Sequence, residues 1–169
     1  MPSDTPWADD ACSLVDAFRA KTLSPVEALD ACLTAIDASP LNAFSHLDRE
    51  AARAQAAASD VSLPFGGVPL GVKELEEVKG WPYTEASLVF KDRTAEFDST
   101  QVVRLRAAGA VLAGQTTASE FGGINCTSTK LHGTTRNPWN EERTPGGSSG
   151  GSAAAVSGGL VPLASGGDG

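Results

Sequence analysis

From residue 145 to residue 152 the chain reads Pro-Gly-Gly-Ser-Ser-Gly-Gly-Ser, and Ala153-Ala154-Ala155-Val156 follows at once. Glycines at this density let the backbone take positive φ and approach a ligand or another strand closely. The small apolar run behind them reads as the first turns of a helix. A helix start carries unpaired N–H groups and positive partial charge, which suits a developing oxyanion or a bound anion. By composition alone the stretch is also a flexible Gly/Ser linker. Its flanks argue otherwise. Gly158-Gly159 ends the helix, and the apolar run Leu160 to Ala164 then reads as a strand, so loop, helix and strand form one packed unit.

The rest of the chain has the means to build a core around that unit. Its 169 residues are 41% hydrophobic, with 18 glycines besides, which places it among globular proteins. Thirteen basic against 21 acidic residues give a net charge of −8, and no cluster of Lys and Arg stands out, so nucleic acid and anionic membranes are not its expected partners. Cys12, Cys32 and Cys126 are odd in number and scattered, which fits neither a disulfide framework nor a zinc site. Residues 1–10 lack the basic start and apolar run of a signal peptide, and no stretch reaches membrane-spanning length. The expectation is a soluble, cytoplasmic protein.

Taken in order, residues 1–10 read as a flexible tail. Ala11 to Ala20 suits a helix with Leu14, Val15 and Phe18 on one face. Ser24-Pro25-Val26-Glu27 combines an N-cap serine, a proline at the first helical position and the glutamate of a capping box. Val26, Leu29, Leu33 and Ile36 then give one buried stripe, ending near Ser39-Pro40. A short strand over 42–47 and an alanine-rich helix over 49–58 follow. Val68 to Val72 reads as a strand ending at Lys73, 80–98 as wandering loop, 98–108 as a helix and 110–114 as a buried strand. Strands alternating with helices through Gly-containing turns argue for an α/β fold, a sheet covered by helices on both faces. The closing Ser165-Gly166-Gly167-Asp168-Gly169 supplies no helix to cover the last strand, so the chain reads as cut in mid-motif.

Chemistry concentrates in few residues. Gly146-Gly147-Ser148-Ser149-Gly150 satisfies G-x-S-x-G, the pattern of a serine presented on a strand-to-helix turn beside backbone donors, and so does the frame one residue later. An α/β-hydrolase would need an acid and then a histidine after that serine, but His46 and His132 both precede it. Lys73, at the end of an apolar strand, is the candidate base: burial favours the neutral amine, and a neutral amine accepts protons. The competing reading is an ordinary solvated lysine. His132 reads as a loop histidine and Cys126 as a structural thiol.

Three stretches, taken together, resemble the amidase signature family: Gly67 to Glu74, His132 to Trp139, and Arg143 to Ala153; Arg104 to Leu112 is similar to its helix–strand unit. The similarity runs in family order from about residue 12. It implies an α/β/α sandwich with a mixed sheet, incomplete at the C-terminus, in which residues 11–169 are the N-terminal part of a single amidase domain. It implies a Ser-cisSer-Lys hydrolase cleaving carbon–nitrogen bonds of amides through an acyl-enzyme. Lys73 matches the catalytic lysine. Ser148 matches the bridging serine, with a cis Gly147–Ser148 peptide, in a loop supported by Gly146, Gly147, Ser149 and Gly150. The nucleophilic serine of the family would be the third residue past Gly169, so these 169 residues alone are expected to be inactive. Backbone at Asp168 and Gly169 corresponds to the oxyanion donors, and Gly122-Gly123 to a region that contacts substrate. Gly167 stands where the family usually has threonine, and Glu74 where it usually has aspartate.

The resemblance implies no cofactor and no metal, a small-molecule amide as partner, no nucleic acid directly and no membrane, with a homodimer of a full-length parent left open. Other readings remain: an amidotransferase A-type subunit releasing ammonia from glutamine, a serine hydrolase with an elbow at Ser148 or Ser149, or a non-catalytic module whose glycine loop binds phosphate. The relay makes a geometric demand that separates them. The Lys73 amine should come within about 2.6–3.2 Å of the Ser148 hydroxyl.

Overall fold

A computed structural model describes residues 5–7 and 10–167. Its centre is a four-stranded mixed sheet in the order β1-β3-β2-β6, formed by β1 (Phe44–His46), β2 (Pro69–Lys73), β3 (Val111–Thr116) and β6 (Leu163–Ala164). Strand β2 runs parallel to β3 on one side and to β6 on the other, while β1 pairs antiparallel with β3. A separate hairpin pairs β4 (Ser128–Thr129) with β5 (Gly133–Thr134). The helices are α1 (Ala11–Arg19), α2 (Pro25–Ala38), α3 (Arg49–Ala57), α4 (Thr100–Ala107) and α5 (Gly150–Ser157).

Alternation along the central strands divides the core in two. Val68, Val111 and Ala113 join α1, α2, α3 and α5 in one cluster, built on Leu14, Phe18, Leu29, Leu33, Ala52 and Ala154. Leu70, Val72 and Leu112 point the other way, onto Val78, Trp81 and Val102 of α4. Residues two apart on a strand share a face, so a strand lined throughout by apolar residues must be covered on both sides. The expected α/β sheet with helices on both faces is what forms. Helix α2 starts as its sequence dictates: Ser24 Oγ accepts from Glu27 N at 3.2 Å, and Ser24 N donates back to Glu27 Oε2 at 2.8 Å. Asp10 caps α1 by accepting from Ser13 N at 2.7 Å.

Some expectations change in detail. Trp7 is buried in the first cluster, so the tail expected over 1–10 includes a residue packed on the core. The strand expected over 160–164 narrows to Leu163–Ala164, because Pro162 has no N–H to give a ladder; Leu160 and Val161 are buried all the same. The segment 80–98 is more ordered than a wandering loop. It holds a 3₁₀ turn at Leu88–Phe90 and a bridge between Pro82 and Thr94, with the Arg93 guanidinium 4.3 Å from the Tyr83 ring centroid. Among the described residues no helix is long and apolar enough to cross a membrane.

Glycine fixes how α5 meets the sheet. Gly151 N donates to Thr117 O at 3.0 Å, and a Cβ on Gly151 would lie 2.3 Å from Thr117 Oγ1 and 2.4 Å from Thr117 N. Backbone sits on backbone there, and neither side can yield. Gly151→Ala is therefore expected to destabilise the fold by about 1–3 kcal/mol or more. Urea unfolding of the two proteins checks this, and an unchanged midpoint would show that the contact is slack.

Candidate active site

The parallel strands β2, β3 and β6 all end at one edge of the sheet, where open α/β sheets place their ligands. Lys73 is the last residue of β2, and every residue of that strand is buried. Its backbone N donates to Ser165 Oγ at 2.9 Å, while Ser165 N donates to Gly71 O at 2.8 Å, so the residue after β6 fixes where β2 ends. On the far side, the loop over 145–149 leads into α5 and brings Ser148 to the same edge.

The two meet across 75 residues of sequence: Lys73 Nζ donates to Ser148 Oγ at 2.8 Å. The same separation serves a neutral amine accepting the hydroxyl proton. Lys73 is only 4% exposed. Burial pushes its pKa below the ordinary lysine value, and Glu76 nearby pulls in the opposite direction. The solvated-lysine reading does not survive this geometry. The Gly147–Ser148 peptide is cis.

The loop around Ser148 is held from several sides. Ser148 O accepts from Ser119 N at 3.1 Å. Ser149 Oγ accepts from Gly167 N at 3.1 Å and donates to Gly167 O at 3.2 Å, which ties the stretch after β6 to the serine loop. A Cβ on Gly167 would stand 3.2 Å from Lys73 Nζ, so this glycine lies against the amine. Gly150 is equally constrained, since a Cβ there would lie 2.2 Å from Thr127 Oγ1. Gly146 takes φ +97°, a conformation suited to glycine. The helix start is less open to an anion than its sequence suggests, because Gly151 N is already spent on Thr117 O.

Gly122 also reaches the site. At φ +68°, its Cβ position would be 3.7 Å from Ser148 Oγ, and Phe121 before it takes φ +54°, unusual for a residue with a side chain. Gly123 lies beyond it, with only Glu120 O near its Cβ position. Asp168 and Gly169 lie outside the described residues. Neither histidine turns to a serine of the loop: His46 packs edge-on against Trp81, with centroids 5.2 Å apart, and His132 turns to Glu74. An elbow with either histidine as base therefore has no geometry here. Cys126 is a free, half-buried cysteine, consistent with a structural thiol.

Sequence reasoning missed one cluster. Glu74, next to Lys73, is fully buried; its Oε1 meets His132 Nε2 at 2.6 Å and also accepts a short hydrogen bond from Thr84 Oγ1. His132 is thus no plain loop histidine. The partners lie 58 residues apart, and no local pattern announces the pairing. Among the described residues no group of His, Cys, Asp and Glu could hold a metal ion.

The chain is similar to known proteins in sequence and in fold. The family model described as Amidase matches residues 27–169. The chain is 40% identical over 175 aligned positions to the A-type subunit of glutamyl-tRNA(Gln) amidotransferase from Cupriavidus taiwanensis, covering 99% of this chain and 35% of that protein. It superposes on 6-aminohexanoate cyclic dimer hydrolase in complex with substrate at a TM-score of 0.86 and 35% identity, over 92% of this chain and 33% of that one. Against the native peptide amidase of Stenotrophomonas maltophilia the TM-score is 0.87 at 30% identity, over 95% and 36% of the two chains. The chain thus spans about a third of the length of the curated relatives it matches.

The depressed Lys73 pKa has a thermodynamic consequence. Between the folded value and the ordinary 10.5, the unfolded chain binds more protons, so stability rises with pH across that window. Below the folded value the penalty is fully present. Lys73→Met removes the amine and should therefore be more stable than the parent chain near neutrality, with the gap closing as pH climbs toward 10.5. Urea melts at several pH values read this directly, and a gap that stays constant would break the link.

Proposed function

The chain belongs to the amidase signature family, whose model it matches over residues 27–169, and on that premise we propose that the protein hydrolyses carbon–nitrogen bonds of amides through a serine–serine–lysine relay. The observation that carries this reading is the 2.8 Å contact between Lys73 Nζ and Ser148 Oγ, made by a lysine that is almost wholly buried. Desolvation favours the neutral, proton-accepting form of the amine, and a hydroxyl pinned to it passes protons.

In this reading Lys73, neutral, takes a proton from Ser148, which takes one from the attacking serine. That serine corresponds to the third residue after Gly169. It adds to the amide carbonyl, and backbone N–H groups around Asp168 and Gly169 steady the oxyanion. The proton returns along Ser148 to the leaving amine, which departs, and water then hydrolyses the acyl-enzyme by the same relay in reverse. Gly122, whose backbone packs beside Ser148 Oγ, and Gly123 after it border the space the amide would take in this reading. The relay itself calls on no metal or organic cofactor. The partner is a small-molecule amide, and the protein works in the cytoplasm. Residues 11–169 are the N-terminal part of one amidase domain.

A second reading has its own support. Relatives at about 40% identity over nearly the whole chain are A-type subunits of glutamyl-tRNA(Gln) amidotransferases. In that case the amide is glutamine, and the ammonia released passes to an acceptor on a partner. The relay is unchanged; only the substrate differs, so assays with aryl amides and with glutamine distinguish the two.

In the protein carrying the complete relay, Lys73→Ala should lower kcat on the order of 10²–10⁴-fold with little change in KM, since a base acts in the transition state. A loss below tenfold across the pH range would demote Lys73 to a structural role. These 169 residues alone should give no turnover on a panel of aryl amides. Turnover abolished by Ser148→Ala would instead make Ser148 the nucleophile.

A further inference from the structure

The two halves of the relay are separate in sequence, and one small element touches both. The β4–β5 hairpin is preceded by Thr127, whose Oγ1 donates to Gly146 O at 2.9 Å, two residues before Ser148. The same segment presses on the loop directly: a Cβ on Gly147 would fall 2.7 Å from both Cys126 N and Ile124 O. At the turn of the hairpin, His132 Nε2 meets Oε1 of Glu74, the residue after Lys73, at 2.6 Å. Glu74 N in turn donates to Thr116 O at 3.0 Å, at the end of β3.

The hairpin has no core of its own. Each strand is two residues long, and three of the four strand residues are exposed. Its place is set by polar ties. Ser128 Oγ and Thr134 Oγ1 bond across it at 2.7 Å, Asn42 Nδ2 donates to His132 O at 2.8 Å, and Thr135 Oγ1 donates to Asn42 O at 2.9 Å. Glu74 depends on the same element. A fully buried carboxylate needs donors, and here Thr84 and His132 both converge on Oε1, while Oε2 has no hydrogen-bond partner among the described residues. Removing His132 takes away one of two donors from a group with none to spare, and that group is joined directly to Lys73.

We propose that the β4–β5 hairpin is a brace for the relay, with Thr127 and His132 as positioning residues: Thr127 holds the loop that carries Ser148, and His132 holds the residue beside Lys73. The proposal rests on the relay reading, and it deepens that reading by naming what keeps amine and hydroxyl in register. Neither residue touches the reacting atoms.

His132→Phe keeps a flat ring while removing the donor, and Thr127→Val keeps the shape while removing the hydroxyl. The titration of Lys73, followed by the ¹³C resonance of its ε-methylene, needs no turnover. In both variants it should move up toward the ordinary lysine value, as the amine loses its fixed, dry position. In the enzyme with the complete relay, His132→Phe should lower kcat about tenfold with KM nearly unchanged, because small misplacements of reacting groups are costly. His132→Gln retains an N–H donor and should recover most of both readouts. Wild-type Lys73 titration in folded His132→Phe and Thr127→Val would overturn the brace. If the variants shift Lys73 while the wild-type enzyme cleaves no amide, the brace stands and the amidase reading falls.

Discussion

A lysine amine kept out of water against a serine hydroxyl is the contact on which this molecule turns. A charged ammonium resists burial, so a fold that buries one must supply rigid surroundings and a partner. Here the surroundings are the sheet. Lys73 emerges from a strand hydrogen-bonded on both sides, and its own N–H is taken by the Ser165 hydroxyl. The partner arrives from the other direction, on a loop that rests on backbone at Cys126 and on Gly167. Neither half has slack.

That requirement explains the residue choice around the loop. Three of the four glycines flanking the two serines abut something a methyl group would strike: Cys126 N for Gly147, Thr127 Oγ1 for Gly150, Thr117 for Gly151; Gly146 has open space but takes φ +97°. The density of glycine that makes the stretch look like a linker is the signature of close backbone approach from three sides. The same economy appears behind it, where the small buried residues Ala154 and Ala155 let α5 lie close against β2 and β6. Function and packing draw on the same small residues, so substitutions here reach both.

Much of this was legible in the sequence. The capping box at Ser24 and Glu27, the stripe Leu29–Leu33 and the strands around Leu70 and Leu112 follow from spacing, because helix and strand periods are local properties. Lys73 and Ser148 were legible as chemistry: a lysine closing an apolar strand, a serine in a glycine loop. The resemblance joined them, where spacing could not. What stayed hidden was tertiary. Glu74 and His132 are separated by 58 residues, and each looks ordinary in its own stretch. Trp7 sits in a region whose composition suggests a tail, yet it is buried, since one large aromatic can find a core that its neighbours ignore. The last strand shortened at Pro162, a local rule that an apolar run had masked.

The central claim is that Lys73 is a base held by burial, and the most direct measurement is its own titration in the unmodified chain. Labelling the lysine ε-carbons and assigning Lys73 by its absence in Lys73→Met gives one resonance to follow against pH. The account predicts a midpoint clearly below the ordinary 10.5, apart from the other lysines. A midpoint at or above that value would mean an ammonium paired with its surroundings, and an ammonium cannot take the proton that the relay assigns to it.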